Sequence, residues 1–415
     1  MALAHIEPDL FSLEANKTWF ETYRQLRERQ PVYQVPGTSL YVLTRYEDIA
    51  AVVRDSDRFS NEPERHGGEP LLLCPRAREI YDERGWPKAF PLSQDPPEHR
   101  RFRALVNHFF TGARLEASRP LIERHVHRLI DALPAGGEVE FIAAFAEPLP
   151  AAVITDLLGL RHEDHDDLKR WSFAWALPFA RGLSAKQEIW VAEQGVEFQH
   201  YLKAQIDARR ANPRDDIITE LAHAELDDRP LSDGEIISMI DHLYIGGNET
   251  TAYALASALW LMLRDPSVYE ALCAEPSRVK GFVEEVLRLE SPTQGLYRTA
   301  TRDTEIGGVP IPKGATIHMR FAAANRDPEV FEEPDCIRFD RPNAMRHMAF
   351  SQAEHHCPGS GLSRLEMQIA IDALIRRLGN LRLADGNDFE HQPGFVLRAL
   401  KQLNIAFDRV EPAGA

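Results

Sequence analysis

The segment from Ser232 to about Arg264 constrains the fold most. Ser232-Asp-Gly-Glu235 reads as a capping box, with the serine side chain available to the N3 amide and the glutamate reaching back to the cap. Behind it, Ile236, Ile237, Met239, Ile240, Leu243 and Ile245, then Leu255, Ala256, Leu259, Trp260, Leu261 and Leu263, leave little polar surface. A helix apolar on nearly all sides belongs in the centre of a large protein, and 415 residues are enough to surround it. Gly246-Gly-Asn-Glu-Thr-Thr251 breaks the pattern midway. Each glycine costs about 0.5–1 kcal/mol relative to alanine in a helix interior, and a buried Glu249 is costly without a partner. The glycines either admit a ligand to the backbone or form a packing notch for a crossing helix. Thr250 can bond back to a carbonyl and widen the helix locally.

Around this helix the pattern stays mostly helical from Glu98 to Leu378, with three β-rich patches. Ser39–Arg45 and its flank read as a strand pair turning at Pro36-Gly37, followed by a short helix through Ile49 and Val53. A second patch spans Arg302–Ile317, punctuated by Gly307, Gly308, Pro310, Pro312 and Gly314, and a third runs from Phe395 to Phe407. No repeat or linker divides the chain. The expected architecture is therefore mainly α with small, separate β-sheets (α+β), in one domain over 1–415.

Composition excludes several classes. A net charge of −16 argues against a generic nucleic-acid binder. Cys74, Cys273, Cys336 and Cys357 form no CxxC pair, which fits a reducing, cytoplasmic setting better than a disulfide scaffold. The N-terminus lacks the basic and apolar regions of a signal peptide. The most apolar long run, Ala252 to Leu263, is too short for a bilayer, so no membrane partner is expected.

Chemistry concentrates around Cys357, in Phe350-Ser-Gln-Ala-Glu-His-His-Cys-Pro-Gly359. A thiolate in a tight loop can ligate haem iron, and a buried structural cysteine is the alternative. A zinc site of His355, His356 and Cys357 fails because adjacent residues rarely converge on one tetrahedral ion. Glu285 and Arg288, at i, i+3 in Gly281-Phe-Val-Glu-Glu-Val-Leu-Arg-Leu289, would alone read as a surface ion pair. They are not alone. Asp95-Pro-Pro-Glu-His-Arg-Arg-Phe-Arg103, Gly246-Gly-Asn-Glu-Thr-Thr251, Glu285-Val-Leu-Arg288 and Phe350…Cys357-Pro-Gly359 follow in order. Together, over essentially the whole chain, they resemble a bacterial, soluble cytochrome P450, a haem-thiolate monooxygenase.

The resemblance implies haem b as cofactor, with Cys357 as the axial thiolate. It implies that His99, Arg103, Arg298 and His355 hold the haem propionates, that Phe350 packs near the thiolate, and that Gly359 completes the loop. Glu249 and Thr250 match the acid–alcohol pair that delivers protons during oxygen activation, and Gly246 leaves room for dioxygen. Glu285 and Arg288 would form a buried ion network with an arginine ahead of the loop, Arg341 being the candidate. Ser351 and Ala353 depart from the family's usual glycines. Where that backbone uses positive φ they cost more than glycine, so a different turn is expected. Pro358 has no N–H to offer the sulfur.

Candidate substrate-pocket residues are Trp86, Phe90, Leu92, His242, Ile245, Leu296, Phe395 and Val396, and Arg170–Phe179 with the Arg181–Lys186 turn would form a lid. Its aromatics point to a hydrophobic small molecule such as a terpenoid, steroid or aromatic compound. Arg100, Arg101, Arg114, Arg346, His356 and Arg364 form a candidate basic patch for an acidic ferredoxin that supplies electrons. The alternatives are a haem-thiolate enzyme that uses peroxide directly and a non-catalytic haem carrier or sensor.

Overall fold

The structure, a computed structural model, describes residues 7–86, 91–180 and 182–409. Its axis is a helix over Asp233–Arg264, unbroken through the glycine pair. Ser232 accepts a hydrogen bond from the Glu235 amide, and Glu235 accepts one from the Ser232 amide, so the capping box is closed. The two glycines have different surroundings. A Cβ on Gly247 would meet Ile154 Cδ1 at 3.4 Å, whereas one on Gly246 would meet no described residue within 4 Å beyond its own helix. The packing notch is therefore Gly247, where the helix Pro148–Leu158 crosses, and Gly246 lies beside open space.

Two large apolar clusters share this helix. Its C-terminal half, Ala254–Leu263, packs with the helices Val279–Glu290 and Ser360–Arg377. Its N-terminal half, Ile236–Ile245, packs against Leu92, Phe102, Trp171 and Phe198. The sheets stand apart. In the five-stranded one, Leu40–Leu43 runs parallel to Thr316–Met319, and Leu296–Ala300 lies antiparallel on the other side, pairing Arg298 with Ile317. Gly37, with φ +73, makes the expected turn between Val32–Gln34 and Leu40–Leu43.

Two expectations need adjusting. The closing β patch narrows to Asn404–Arg409, since the stretch from Phe395 makes only isolated bridges at Leu397 and Leu400. Its partner Gly136–Glu140 was not foreseen, because a Gly-Gly start and a mostly exposed face carry no strand period.

Candidate active site

Four segments distant in sequence meet at the loop before Ser360–Arg377. The loop closes through the Cys357 amide, which donates to the Phe350 carbonyl at 2.9 Å, and the Ser363 amide donates to the Gly359 carbonyl at 3.0 Å. Thr251 Oγ1 donates to Ser363 Oγ at 3.1 Å and ties the loop's helix to the central helix one residue past Thr250. Ser351 and Ala353 keep positive φ, +57 and +55. The expected change of turn does not occur, and both side chains occupy a backbone region better suited to glycine.

Cys357 is partly exposed, and its sulfur lies 4.0 Å from a Cβ built on Gly359. Burial pushes the thiol up, while the backbone amides of Gly359 and Ser360 and the charges of Arg103 and Arg364 pull the other way. Pro358 adds no donor.

Around the sulfur the charges are mostly positive. Arg298 is buried and held down to about 10 by desolvation, despite Asp95 nearby. His355 falls to about 2 through burial and then through Arg298, His99 and Arg103. His99 falls to about 4 through burial and Arg103, and neither of its buried ring nitrogens has a hydrogen-bond partner. Its ring lies 4.0 Å from that of His355. Arg103 spends one donor on the His356 carbonyl at 2.7 Å, and its Nε is also unsatisfied. Two guanidiniums beside two neutral imidazoles, with Arg103 Nε and the His99 ring nitrogens left unsatisfied, suit an anion with several acceptor oxygens.

Sequence reading missed two supports of this array. Asn61 lies 2.6 Å from His355 Nε2 through its side-chain nitrogen, and Asp95 accepts from the Asn61 amide at 2.9 Å and from the Ser60 hydroxyl. Asp95 stood inside a quoted motif, but no local signal assigned it a partner some thirty-five residues earlier.

On the distal face, Thr250 Oγ1 donates to the Gly246 carbonyl at 2.9 Å within a helix that stays α-helical. Glu249 turns elsewhere. It accepts from Ser172 Oγ at 3.0 Å and Tyr253 Oη at 3.4 Å, and burial raises its pKa. The acid and the alcohol are adjacent in sequence but are not hydrogen-bonded to each other.

Beneath the loop, Glu285 accepts from Arg288 Nε at 2.8 Å and Nη2 at 2.9 Å, from Arg341 Nε at 2.9 Å and from the Arg338 amide at 3.0 Å. Burial opposes its ionisation, yet these donors keep its pKa below the usual glutamate value. A second buried network went unforeseen. Glu284 binds Arg364 at 2.7 Å and His347 Nε2 at 3.0 Å, and is held at about 2 against burial. His347 Nδ1 accepts from the Ala349 amide at 3.2 Å, which leaves the proton on Nε2 for Glu284.

That network corrects the docking patch. Arg364 is largely buried, pairs with Glu284 and covers the Phe350 ring at 4.6 Å, so it serves the loop rather than a partner. Arg100 pairs with Glu354, Arg101 with Asp227, and Arg114 with Glu220 at 2.7 Å. Arg346 and His356 remain exposed, the former over the Tyr46 ring at 5.3 Å.

The pocket candidates divide. Leu92 and Ile245 share one apolar cluster, with Trp86 at its margin, and His242 meets Trp175 edge-on at 5.7 Å. Phe395 and Val396 are buried in another cluster with Trp19 and Tyr23, and Leu296 borders a third. Phe395 packs on His318 at 4.4 Å, so its ring is committed to the protein interior. Phe90 and Arg181 lie outside the described residues. The lid stretch is a helix, His165–Ala176, followed by a short turn of 3₁₀ helix.

A family model for cytochrome P450 matches residues 170–404. Cytochrome P450 107B1 of Saccharopolyspora erythraea is 34% identical, covering 92% of this chain and 93% of that protein. The chain belongs to the cytochrome P450 family. A steroid C26-monooxygenase of Mycobacterium tuberculosis is 32% identical over 94% of both chains. The solved structure of P450BioI in complex with an acyl carrier protein ligated to hexadec-9Z-enoic acid superposes with a TM-score of 0.85 at 31% identity, covering 95% of this chain and 99% of that one. This P450 is a monooxygenase whose family binds haem b through a cysteine thiolate. The residues present fit that group: a sulfur with backbone donors, space beside Gly246 clear of the described residues, and an unsatisfied Arg103 Nε beside Arg298 and the unpartnered ring of His99, which suit carboxylates such as the propionates. Among the described residues no helix is long and apolar enough to cross a membrane.

Proposed function

We propose that this P450 hydroxylates, or otherwise oxidises, a hydrophobic small molecule, with Cys357 as the residue whose thiolate would hold the haem iron. The observation that supports the reading is the array of His99, Arg103, Arg298 and His355: both His99 nitrogens and Arg103 Nε are buried without a partner among the described residues, and Arg103 lies in the field of the Cys357 sulfur. When bound, the haem supplies reduction and cleavage of dioxygen, which thiolate donation favours.

The chain's own residues do the rest. These four cationic and imidazole groups are the ones that would hold the propionates. Gly246 keeps the distal face open beside Thr250. Thr250 donates its one hydroxyl proton to the Gly246 carbonyl, which leaves its oxygen free to accept from the site; to donate there it must turn away from that carbonyl. Glu249, favoured in its protonated form by burial, takes up protons near Ser172 and Tyr253 and delivers them by a side-chain rotation. Leu92 and Ile245 contribute the apolar wall. That a steroid oxidase and a fatty-acyl complex are among the relatives supports a hydrophobic substrate.

Electrons come from a ferredoxin-type partner that docks beside the cysteine loop, where Arg346 is exposed. The whole chain acts as a single P450 domain.

The test is the absorption spectrum of the reduced protein under carbon monoxide, repeated with Cys357→His. The red-shifted thiolate band in the wild type and its loss in the variant support the assignment, and a thiolate band that survives Cys357→His refutes it. With Thr250→Ala, oxygen consumption should persist while product falls. Unchanged turnover without an electron donor would favour the peroxide-using alternative.

A further inference from the structure

Three side chains that the oxidation chemistry does not use converge on one another. His125 stands on the helix Gly112–Ala132, Asp156 on Pro148–Leu158, and His162 opens the turn His162–Asp164 that leads into the lid helix. His125 Nε2 lies 2.7 Å from Asp156 Oδ2, and His162 Nε2 lies 2.6 Å from Oδ1. All three donor atoms fall within 4.8 Å of one another, at a surface cleft of about 460 Å³. We propose that His125, Asp156 and His162 form a binding site for a divalent transition metal of the zinc class, which tethers the start of the lid to the scaffold.

Two imidazoles and a carboxylate are a donor set that zinc accepts, with solvent in the fourth position. Bonds of about 2.0–2.1 Å place tetrahedral ligands about 3.3 Å apart. Each imidazole therefore retreats by roughly 0.6 Å from its present hydrogen bond, well within the reach of a side-chain rotation. His162 is half exposed and makes that move by rotating, whereas at His125, 11% exposed, the gap opens by a small turn of the Asp156 carboxylate. Asp156 offers one carboxylate oxygen to each histidine.

Two neighbours oppose a cation. Arg128 approaches His125 Nδ1 at 3.3 Å, which places the imidazole proton on Nε2, facing Asp156. Arg161 lines the cleft, partly neutralised by Glu163 at 3.5 Å and Asp164 at 3.7 Å. Metal binding at Nε2 requires the single ring proton of the neutral imidazole to move, through solvent, from Nε2 to Nδ1 with no net release, so Arg128 must swing away. The lid helix that begins at His165 carries Ser172, which donates to Glu249. A metal at His162 would thus stiffen the element that holds the Glu249 carboxyl.

The experiment titrates Zn²⁺ into haem-loaded enzyme against a competing chelator, with hydrogen exchange followed over residues 162–176. We expect one ion bound at micromolar concentration, weakened at least about tenfold by His162→Ala or His125→Ala and tightened by Arg128→Ala. Zinc should slow exchange in the lid of the wild type and not of His162→Ala. Exposed Cys273 and Cys336 can also take zinc, so only the difference between wild type and variants counts. Affinity unchanged within twofold in both histidine variants, or specific binding that leaves lid exchange unaltered, would overturn the proposal.

Discussion

Replacing Glu285 by glutamine is the sharpest test of how the cysteine loop is supported. Side-chain exposure is 0% for Glu285 and Arg288 and 1% for Arg341, so no solvent screens the three charges. The carboxylate accepts from Arg288 twice, from Arg341 and from the Arg338 amide. Glutamine removes the one negative charge and turns an N–H₂ toward a guanidinium donor. Stranding a buried ion costs about 3–5 kcal/mol, against about 0–1 for a surface pair. The loss should stay within that range because Arg288 keeps the carbonyls of Asn325, Pro334 and Cys336, and Arg341 keeps those of Glu332, Glu333 and Cys336. Urea unfolding of the haem-loaded protein, with hydrogen exchange over residues 325–341, reads both the size of the loss and its location. The pH dependence has a definite sign. Glu285 has a lowered folded pKa, so its contribution is present above the ordinary glutamate pKa and lost as pH falls through the folded value. A Glu285→Gln variant within about 1 kcal/mol of wild type would refute the reasoning.

Four further outcomes are expected. Glu284, shifted from 4.5 to about 2, contributes about 3 kcal/mol above pH 4.5 that is lost toward pH 2; Glu284→Gln should move the midpoint of acid unfolding upward, and an unchanged midpoint would count against the Arg364–Glu284–His347 network. Gly246→Ala and Gly247→Ala should each favour the helix by about 0.5–1 kcal/mol, but only the former, on the open side, should weaken carbon monoxide binding. Ala353→Gly relieves a positive φ that costs about 1–2 kcal/mol, less about 0.4–1 kcal/mol of unfolded-state entropy, so a small gain in urea stability is expected; glycine at His356, where φ is −55, should destabilise instead. Pro358→Ala can add an amide donor near the sulfur and should raise the reduction potential in a spectroelectrochemical titration, whereas an unchanged or lower value would count against the idea.

What the sequence decides by itself is local or ordered along the chain. The capping box at Ser232, the apolar run behind it and the turn at Gly37 were legible because each depends on neighbours within four residues. The family was legible because four motifs stand in order, and the partnership of Arg341 with Glu285 was reachable through that resemblance. Tertiary structure decided what depends on which faces meet. It separated Gly246 from Gly247, one beside open space and the other against Ile154, although the two are chemically identical in sequence. It sent Glu249 toward Ser172 rather than Thr250, withdrew Arg364 from the surface into a pair with Glu284, and joined Asp95 to Ser60 and Asn61. It also assembled His125, Asp156 and His162 from three elements. The physical reason is common to all of these. A side chain's charge state and role follow from its burial and its partners, and residues tens to hundreds of positions apart supply those partners only once the chain has packed.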